Sequence, residues 1–534
     1  MYDYVIVGAG SAGCVLANRL TEDPNTTVLL LEAGMSDWHP FIHMPAGVAE
    51  LLKGKLFNWY FDTAAEKQLN NRRLYWPRGK GLGGSSSMNG MVYIRGHRFD
   101  YDHWANDLGL EGWSYDEVLP YFKKSEDFFG GANEFHGSGG PLGITQDASN
   151  HLLFGVFKEA AKQAGVPETP DFNGAQQEGY GSYQLTIKHG ERQSTAVAFL
   201  NPAKSRPNLT IITRARVKAI NIEGGRATGV TYQRGRSSKS VRVTREVLIC
   251  AGAVQSPHLL MLSGIGDGEA LTRFGIPVNL HKPAVGQNLQ DHLDVMVQQH
   301  CSQPVTLYEQ TRFHNRILTL IEYYRTKRGT GASNGLEAGA FVKTDPALAV
   351  PDVQMHFIPA FMLDHARETG PGHGYMLHAC QLRPHSKGFI GLASADPLAA
   401  PLIQPNYLSD SHDLAVLIKA VKMARKIFAQ AAFDPYRGKE EVPGDALQTD
   451  EQLAQSIRQN AETIYHPVGT CRMGVDADAV VDGECRVKGM AGLRVIDASV
   501  MPTLIGGNTN APTIMIAEKM ADHLRGLSRS SPTG

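Results

Sequence analysis

The sequence has little of what marks a secreted, membrane-spanning or nucleic-acid-binding protein. It carries only six cysteines in 534 residues, with no C-x-x-C pair, which argues against a disulfide framework and against a zinc site. No apolar run approaches the roughly 18 residues that a membrane-spanning helix needs. The 52 basic and 53 acidic residues leave a net charge of −1, so no positive excess points to a nucleic-acid partner.

A secretion signal is also missing from the N-terminal stretch MYDYVIVGAG, which has no basic segment followed by an apolar one. We therefore expect a cytoplasmic protein, with peripheral contact to the cytoplasmic membrane face left open, and no bound metal. The hydrophobic fraction of 42% and charged fraction of 20% are ordinary for a soluble enzyme. The length allows two to four domains. The oligomeric state is not legible in the sequence.

A strand, a glycine-rich turn and a helix are predicted at the N-terminus. The apolar run from Tyr4 to Val7 is typical of a buried strand. The following GAGSAG has the G-x-G-x-x-G spacing that brings backbone close to a pyrophosphate. A second predicted strand ends in Glu32, where an acid binds ribose hydroxyls. This unit predicts FAD or NAD bound through Gly8, Gly10, Ser11, Ala12, Gly13, Glu32 and Ala33.

Two further glycine-rich blocks follow the first. RGKGLGGSSSMNGMVYIRG is too rich in Gly and Ser for a helix interior, and its small residues suit a loop that wraps an extended cofactor. In EVLICAGAVQSPHLLMLSGIG, an apolar strand leads to a helix that we expect to begin near Ser256 and Pro257. Near the C-terminus, a strand over Leu493–Ile496 is followed by Asp497 and a helix opened by Ala511–Thr513.

These blocks, with VGQNLQDH and RVIDASVMPTLIGGNTNAPTIMIAE, resemble the signatures of the GMC (glucose–methanol–choline) oxidoreductases, in the family's order. The resemblance implies an α/β fold with a Rossmann-like FAD-binding domain and a discontinuous α+β substrate-binding domain that contains an antiparallel sheet. We place the FAD-binding domain at 1–150, 196–299 and 461–534, and the substrate-binding domain at 151–195 and 300–460. The family resemblance further implies FAD contacts at Gly83, Gly84, Ser85, Asn89, Gly90, Met91, Val92, Val217, Ala251, Gly252, Asp497, Ala498, Asn508, Thr509 and Pro512.

The resemblance also implies the catalytic residues. It points to His466 in AETIYHPVGTCRMG as the base that removes the alcohol proton, with Asn510 as the neighbouring donor. A neutral imidazole is the usual base near neutral pH. Some family members attach their flavin to a histidine at the position of Met88. A thioether cannot take that role, so we expect non-covalent FAD.

The substrate is harder to predict than the family. The sequence looks most like bacterial dehydrogenases of aliphatic primary alcohols and is also similar to choline and polyethylene-glycol dehydrogenases. Glu337 and Tyr465 are expected on the substrate side, and a neutral alcohol is favoured over choline because all five tryptophans precede residue 114. A quinone or other acceptor takes the electrons in the leading hypothesis. An O2-using oxidase, a cyanohydrin lyase and a flavin-binding module stay open.

Two remaining segments carry weaker expectations. RILTLIEYYRTKR, residues 316–328, is basic and amphipathic. We favour a core-facing helix there and keep contact with a membrane as the alternative. The final GLSRSSPTG is expected to be disordered.

Overall fold

The computed structural model describes residues 1–146, 149–364 and 367–527, so most of the predicted disordered tail lies outside the described residues. Its first layer is a seven-stranded sheet, here called the cofactor sheet. The apolar strand Tyr2–Val7 lies inside this sheet with parallel partners on both sides. In spatial order the strands are Leu209–Ile212, Val28–Leu31, Tyr2–Val7, Ser237–Ile249, Arg226–Arg234 and Ala215–Glu223, with Leu493–Val495 also paired to Ser237–Ile249.

Three helices approach the carboxyl ends of the parallel strands. The fingerprint helix, Ser11–Leu20, follows the first strand directly. It packs beside the C-terminal helix, Asn510–Leu524. Arg19 Nη2 on the former lies 2.7 Å from the fully buried Oε1 of Glu518 on the latter. The two ends of the chain therefore build one side of the same layer.

The third of these helices begins earlier than predicted. It spans Gly252–Leu262, so Pro257 lies inside it and not at its start. Proline has no N–H to donate to the carbonyl four residues before it. The hydroxyl of Thr470 donates to that carbonyl, on Ala253, at 2.6 Å. The expected start near Ser256 is corrected, because a loop from the distant C-terminal part compensates for the proline.

The second layer is an antiparallel sheet, here called the substrate sheet, as the family resemblance predicts. In spatial order its strands are Arg437–Val442, Leu293–Cys301, Gly374–Gln381, Val353–Ile358, Ala338–Val342 and Gly179–Ser182, with Glu462–Thr463 also paired to Leu293–Cys301. The strand Leu293–Cys301 belongs to this sheet although we assigned residues up to 299 to the FAD-binding part. The domain division itself stays a prediction.

Other helices cover the outer faces of the two layers. The apolar periodicity over Asp413–Gln430 predicts a helix, and the structure has one at Ser411–Phe428, whose buried side packs on the substrate sheet. The period-two pattern at 388–397 predicts a strand, and the observed strand is shorter, Phe389–Gly391. The remaining helices of nine or more residues are Arg98–Asn106, Tyr115–Ser125, Leu152–Gln163, Phe313–Thr326 and Asp450–Asn460. Within the described ranges, no helix is both long and apolar enough to cross a membrane.

The helix Phe313–Thr326, here called the rim helix, corrects one expectation. We favoured a core-facing stripe for this segment. In the structure Tyr323 is buried, whereas most of the helix's large apolar side chains are exposed. The short helix Tyr308–Thr311 directly precedes the rim helix and contacts it. The spacing of the apolar residues therefore predicted the helix correctly but predicted its burial wrongly.

Candidate active site

A cavity of about 630 Å³ lies between the cofactor sheet and the substrate sheet. This volume is within the range typical of cofactor and substrate sites. Most of the predicted cofactor residues line it. They are Gly8, Gly10, Ser11, Ala12, Glu32, Ala33, Gly84, Ser85, Asn89, Gly90, Met91, Val92, Val217, Ala251, Gly252, Asp497, Ala498, Asn508 and Thr509.

The glycines of the fingerprint bring backbone segments into direct contact. A Cβ atom on Gly13 would lie 1.9 Å from the carbonyl oxygen of Gly8, so only glycine lets the helix approach the strand this closely. A Cβ on Gly84 would lie 2.6 Å from the Cα of Gly10, so the second glycine block abuts the first. Three of the predicted cofactor residues do not line the cavity: Gly13, Gly83 and Pro512.

Glu32 is held where a ribose-binding acid should be. Its carboxylate accepts hydrogen bonds from the backbone N–H groups of Ala9, at 2.9 Å, and Gly34, at 2.7 Å. Burial raises the pKa of Glu32 despite these bonds. The carboxylate borders the cavity beside the fingerprint helix. This arrangement fits the adenosine end of a dinucleotide.

Helix N-termini converge on the same cavity. Within the described parts of the chain, no side chain caps the fingerprint helix or the C-terminal helix at this end. The first turns of both helices line the cavity. Uncapped N–H groups at a helix start bind anionic groups. The two termini and the glycine cradle therefore fit the pyrophosphate of a dinucleotide such as FAD. The expectation that FAD is not covalently attached stays a prediction.

His466 reaches the cavity from a loop that is fixed at both sides. The preceding Tyr465 adopts a positive φ of 68°, uncommon for a side chain of this size. The backbone N–H of His466 donates to Asp291 Oδ1 at 2.7 Å. The other oxygen of Asp291 accepts from the hydroxyls of Thr463 and Tyr407. This buried carboxylate holds the loop in its strained shape and so places the imidazole.

Four side chains form a hydrogen-bonded chain: His292, His466, Asn508 and Gln354. This chain determines which ring nitrogen of His466 is unprotonated. His292 Nε2 lies 3.1 Å from the carbonyl oxygen of Leu382, which can only accept, so that nitrogen carries a proton. In neutral His292, Nδ1 must then accept, and it lies 3.0 Å from His466 Nδ1. His466 therefore carries its proton on Nδ1 and presents an unprotonated Nε2 to the cavity.

The residue that meets His466 Nε2 is Asn508 and not Asn510. Asn508 Nδ2 donates to that nitrogen at 3.2 Å, and Asn508 Oδ1 accepts from Gln354 Nε2 at 3.1 Å. Asn510, expected as the partner, lines the cavity but accepts a hydrogen bond from the Ser11 hydroxyl at 2.7 Å. Asn510 is the first residue of the C-terminal helix, so its side chain turns toward the fingerprint helix. The contact with His466 Nε2 is thus made by Asn508, and the catalytic role expected for Asn510 stays a prediction.

The imidazoles of the site are neutral bases. Burial, followed by the nearby His292, His356 and Arg78, lowers the pKa of His466 well below 6.5. Burial also lowers the pKa of His292 to about 4 and that of His356 to about 3. A neutral imidazole with a free nitrogen can remove a proton from a hydroxyl group.

A second polar pair lines the cavity beside this chain. Asp294 and His378 lie on neighbouring strands of the substrate sheet, and Asp294 Oδ2 is hydrogen-bonded to His378 Nδ1. Among the described residues, no partner meets the buried Oδ1 of Asp294. Burial raises the pKa of Asp294. Asp294 lies on the strand Leu293–Cys301, and His292 directly precedes that strand, two residues from Asp294.

Glu337 does not take the substrate position that we expected. Its carboxylate accepts from the Ser333 hydroxyl and from the backbone N–H of Ser149, and it does not line the cavity. Tyr465 does line it, as expected. Two acidic residues of the substrate sheet line the cavity, and they are Asp294 and Glu462.

Sequence reasoning missed four residues of this site: Asp291, His292, Asp294 and Gln354. The first three lie together in QDHLD, and the family block VGQNLQDH contains Asp291 and His292 but ends before Asp294. The acid-His-x-acid run was the available signal. No local pattern marks Gln354, whose contact with Asn508 spans 154 residues.

The family is established by comparison with known proteins. The N-terminal GMC oxidoreductase family model matches residues 2–294 and the C-terminal model matches residues 384–517. The chain belongs to the GMC oxidoreductases, which are FAD-dependent enzymes, as the sequence motifs predicted.

Among individual proteins, the chain is similar to choline dehydrogenases. It is 49% identical to the oxygen-dependent choline dehydrogenase 1 of Chromohalobacter salexigens, over 99% of this chain and 96% of that protein. It is 46% identical to the mitochondrial choline dehydrogenase of Mus musculus, over 98% of this chain and 89% of that protein. Among solved structures, pyridoxine 4-oxidase from Mesorbium loti has a TM-score of 0.90 at 32% identity, with 99% of this chain and 100% of that chain covered.

Proposed function

We propose that the protein is a choline dehydrogenase that oxidises choline to betaine aldehyde. This reverses our preference for a neutral alcohol. The observation that carries the proposal is the buried Asp294 carboxylate, which lines the cavity from the strand Leu293–Cys301, directly after His292. A carboxylate held out of water favours a cationic ligand. The identity to choline dehydrogenases over nearly the whole chain supports it further.

The proposed chemistry follows from the orientation of the polar chain. A hydroxyl group that enters between the two side chains donates its proton toward His466 Nε2 and accepts from Asn508 Nδ2. His466 removes the proton, and His292 Nδ1 accepts from the Nδ1–H of the imidazolium that forms. Asn508 stabilises the negative charge on the substrate oxygen. FAD, when bound, supplies the acceptor for the hydride that leaves the substrate carbon.

The second half-reaction is proposed separately. Apolar side chains such as Phe41, Met44 and Leu320 line the outer part of the cavity, which supports a lipid-soluble quinone as electron acceptor. The name of the Chromohalobacter relative states oxygen dependence for that protein, so O2 is the competing acceptor. Reoxidation of the reduced enzyme by a short-chain quinone and by air-saturated buffer, compared in a stopped-flow instrument, separates the two.

The substrate is tested with choline and 3,3-dimethyl-1-butanol, which has the same shape with carbon in place of the charged nitrogen. We expect anaerobic flavin reduction to favour choline by more than about tenfold in kcat/KM, because a charge-assisted contact is worth about 1.5–3 kcal/mol. The Asp294→Asn variant should lose most of this preference while it still reduces its flavin with the neutral alcohol.

Glu337→Gln is the matched control, since that carboxylate is turned away from the cavity. It should keep the preference for choline. Equal or better turnover of the neutral alcohol by the unmodified enzyme would contradict choline as substrate. A flavin that no alcohol reduces would contradict the dehydrogenase proposal altogether.

A further inference from the structure

The rim helix exposes a continuous apolar face. Its large apolar side chains recur at three- and four-residue spacing, so they lie on one side of the helix. Their exposed fractions are 80% for Phe313, 43% for Ile317, 61% for Leu318, 50% for Ile321 and 49% for Tyr324. We call these five side chains the rim face. A cluster of this kind on an otherwise soluble surface marks an interaction site.

The opposite side of the rim helix borders the mouth of the cavity. Thr319 and Leu320 line the cavity, and Tyr323 is buried beneath the helix. Across the mouth lies the short helix Val48–Lys53. Arg316 Nη2 lies 2.9 Å from Glu50 Oε1 of that helix and joins the two rims. The rim face and the entrance to the cavity are therefore parts of the same region of the molecule.

Basic side chains border the rim face. Residues 308–328 contain five Arg or Lys and two Glu. Three of the basic residues form ion pairs, Arg312 with Glu309, Arg316 with Glu50 and Lys327 with Glu191, so the positive excess rests on Arg325 and Arg328. Arg325 and Arg328 are exposed at the end of the helix. On the opposite rim, Trp38 and Leu56 are 60% and 53% exposed. Exposed aromatic and aliphatic side chains bordered by arginine are typical of a surface that lies in the headgroup region of a bilayer.

From these observations we propose that the rim face binds the surface of an anionic phospholipid bilayer and thereby places the cavity mouth at the membrane. The apolar side chains enter the acyl boundary, and the basic side chains meet lipid phosphates. Negatively charged lipid headgroups complement the local positive charge, whereas a basic protein surface would not. The proposal concerns the protein surface and does not depend on choline being the substrate.

The proposal is tested by flotation of the FAD-loaded enzyme with vesicles. One set contains phosphatidylcholine alone and the other contains about one third phosphatidylglycerol, whose charge attracts each nearby Lys or Arg by about 1 kcal/mol. We expect more than tenfold greater binding to the anionic set, about the effect of two such contacts. Raised salt should weaken it.

The variant Phe313→Glu/Ile321→Glu should lower binding to anionic vesicles by about tenfold or more, because it removes buried apolar area and adds like charge. The matched control is Phe129→Glu/Leu398→Glu, which changes two exposed apolar residues elsewhere and should bind as the unmodified enzyme does. Flavin content and thermal unfolding check that both variants fold.

Three outcomes would overturn the proposal. The unmodified enzyme stays free of both vesicle sets, which would leave the rim face for a protein partner. The rim-face variant binds as tightly as the unmodified enzyme. The control variant loses as much binding as the rim-face variant. Arg325→Glu/Arg328→Glu provides an independent check, because it should remove the preference for anionic vesicles without changing any apolar residue.

Discussion

Replacement of Asn508 and of Asn510 should have opposite consequences, although the two residues are separated only by Thr509. Asn508 Nδ2 lies 3.2 Å from His466 Nε2, and its orientation is fixed by the bond from Gln354. Asn508→Ala removes a donor aimed at the place where negative charge develops. Loss of one such donor typically slows catalysis by about 10²–10³, or about 2.7–4 kcal/mol.

Asn510→Ala removes a different interaction. Its side chain accepts from Ser11 at 2.7 Å and joins the C-terminal helix to the fingerprint helix. A neutral hydrogen bond of this kind contributes about 0.5–1.5 kcal/mol. We therefore expect a modest loss of stability or FAD affinity, with the rate of flavin reduction in the loaded enzyme changed by less than about threefold.

The assay is anaerobic stopped-flow reduction of the flavin by choline, with both variants saturated with FAD beforehand. Asn508→Asp is a useful companion, because it keeps the size and replaces the donor with an acceptor. It should be at least as slow as Asn508→Ala. A slower Asn510→Ala than Asn508→Ala, or equal rates for the two, would refute the role that we infer from the hydrogen bonds.

Four other predictions concern the same cavity. His466→Ala should slow flavin reduction by about 10² or more with FAD retained, measured by stopped flow and by the flavin-to-protein absorbance ratio. The pair with Asp294 raises the pKa of His378 above 6.5 against the effect of its burial. Loss of that proton leaves the carboxylate charge uncompensated, so KM for choline should fall as pH rises above the pKa of His378, while KM for 3,3-dimethyl-1-butanol stays constant. Gln354→Leu should lower kcat about tenfold with little change in KM, because Asn508 loses its fixed orientation. The measurement is steady-state kinetics, and a change in KM with kcat unchanged would contradict the prediction. Glu32→Gln should weaken FAD binding about tenfold or more, checked by titration of the apoenzyme, because Ala9 and Gly34 lose a charged acceptor.

Local patterns predicted the cofactor part of the fold well. The glycine spacing at residues 8–13 requires a strand before it and a helix after it, and both are present. The period-two pattern of PDVQMHFIPAF, residues 351–361, likewise predicts a strand, and the structure has one at Val353–Ile358. These elements depend on near neighbours in sequence, so periodicity is enough to find them.

Long-range contacts decided the features that local sequence patterns could not predict. The helix at Gly252 starts early because Thr470 satisfies a carbonyl that Pro257 cannot. Asn508 and Asn510 are indistinguishable by sequence, and only the start of the C-terminal helix turns one toward His466 and the other toward Ser11. The rim helix has the spacing of a core helix, but nothing in its own sequence states which surface covers it.

The contact between the fingerprint helix and the C-terminal helix also bears on how the enzyme is made. A nascent chain displays the glycine turn first, yet the residues that close the cavity from Asp497 to Thr513 emerge last. At the roughly 5 to 20 residues per second of translation, about half a minute to two minutes separate the two events. The first strand, Tyr2–Val7, lacks its neighbour Ser237–Ile249 until more than 200 further residues have been synthesised. The set of residues that lines the cofactor cavity is therefore complete only when nearly the whole chain has been synthesised.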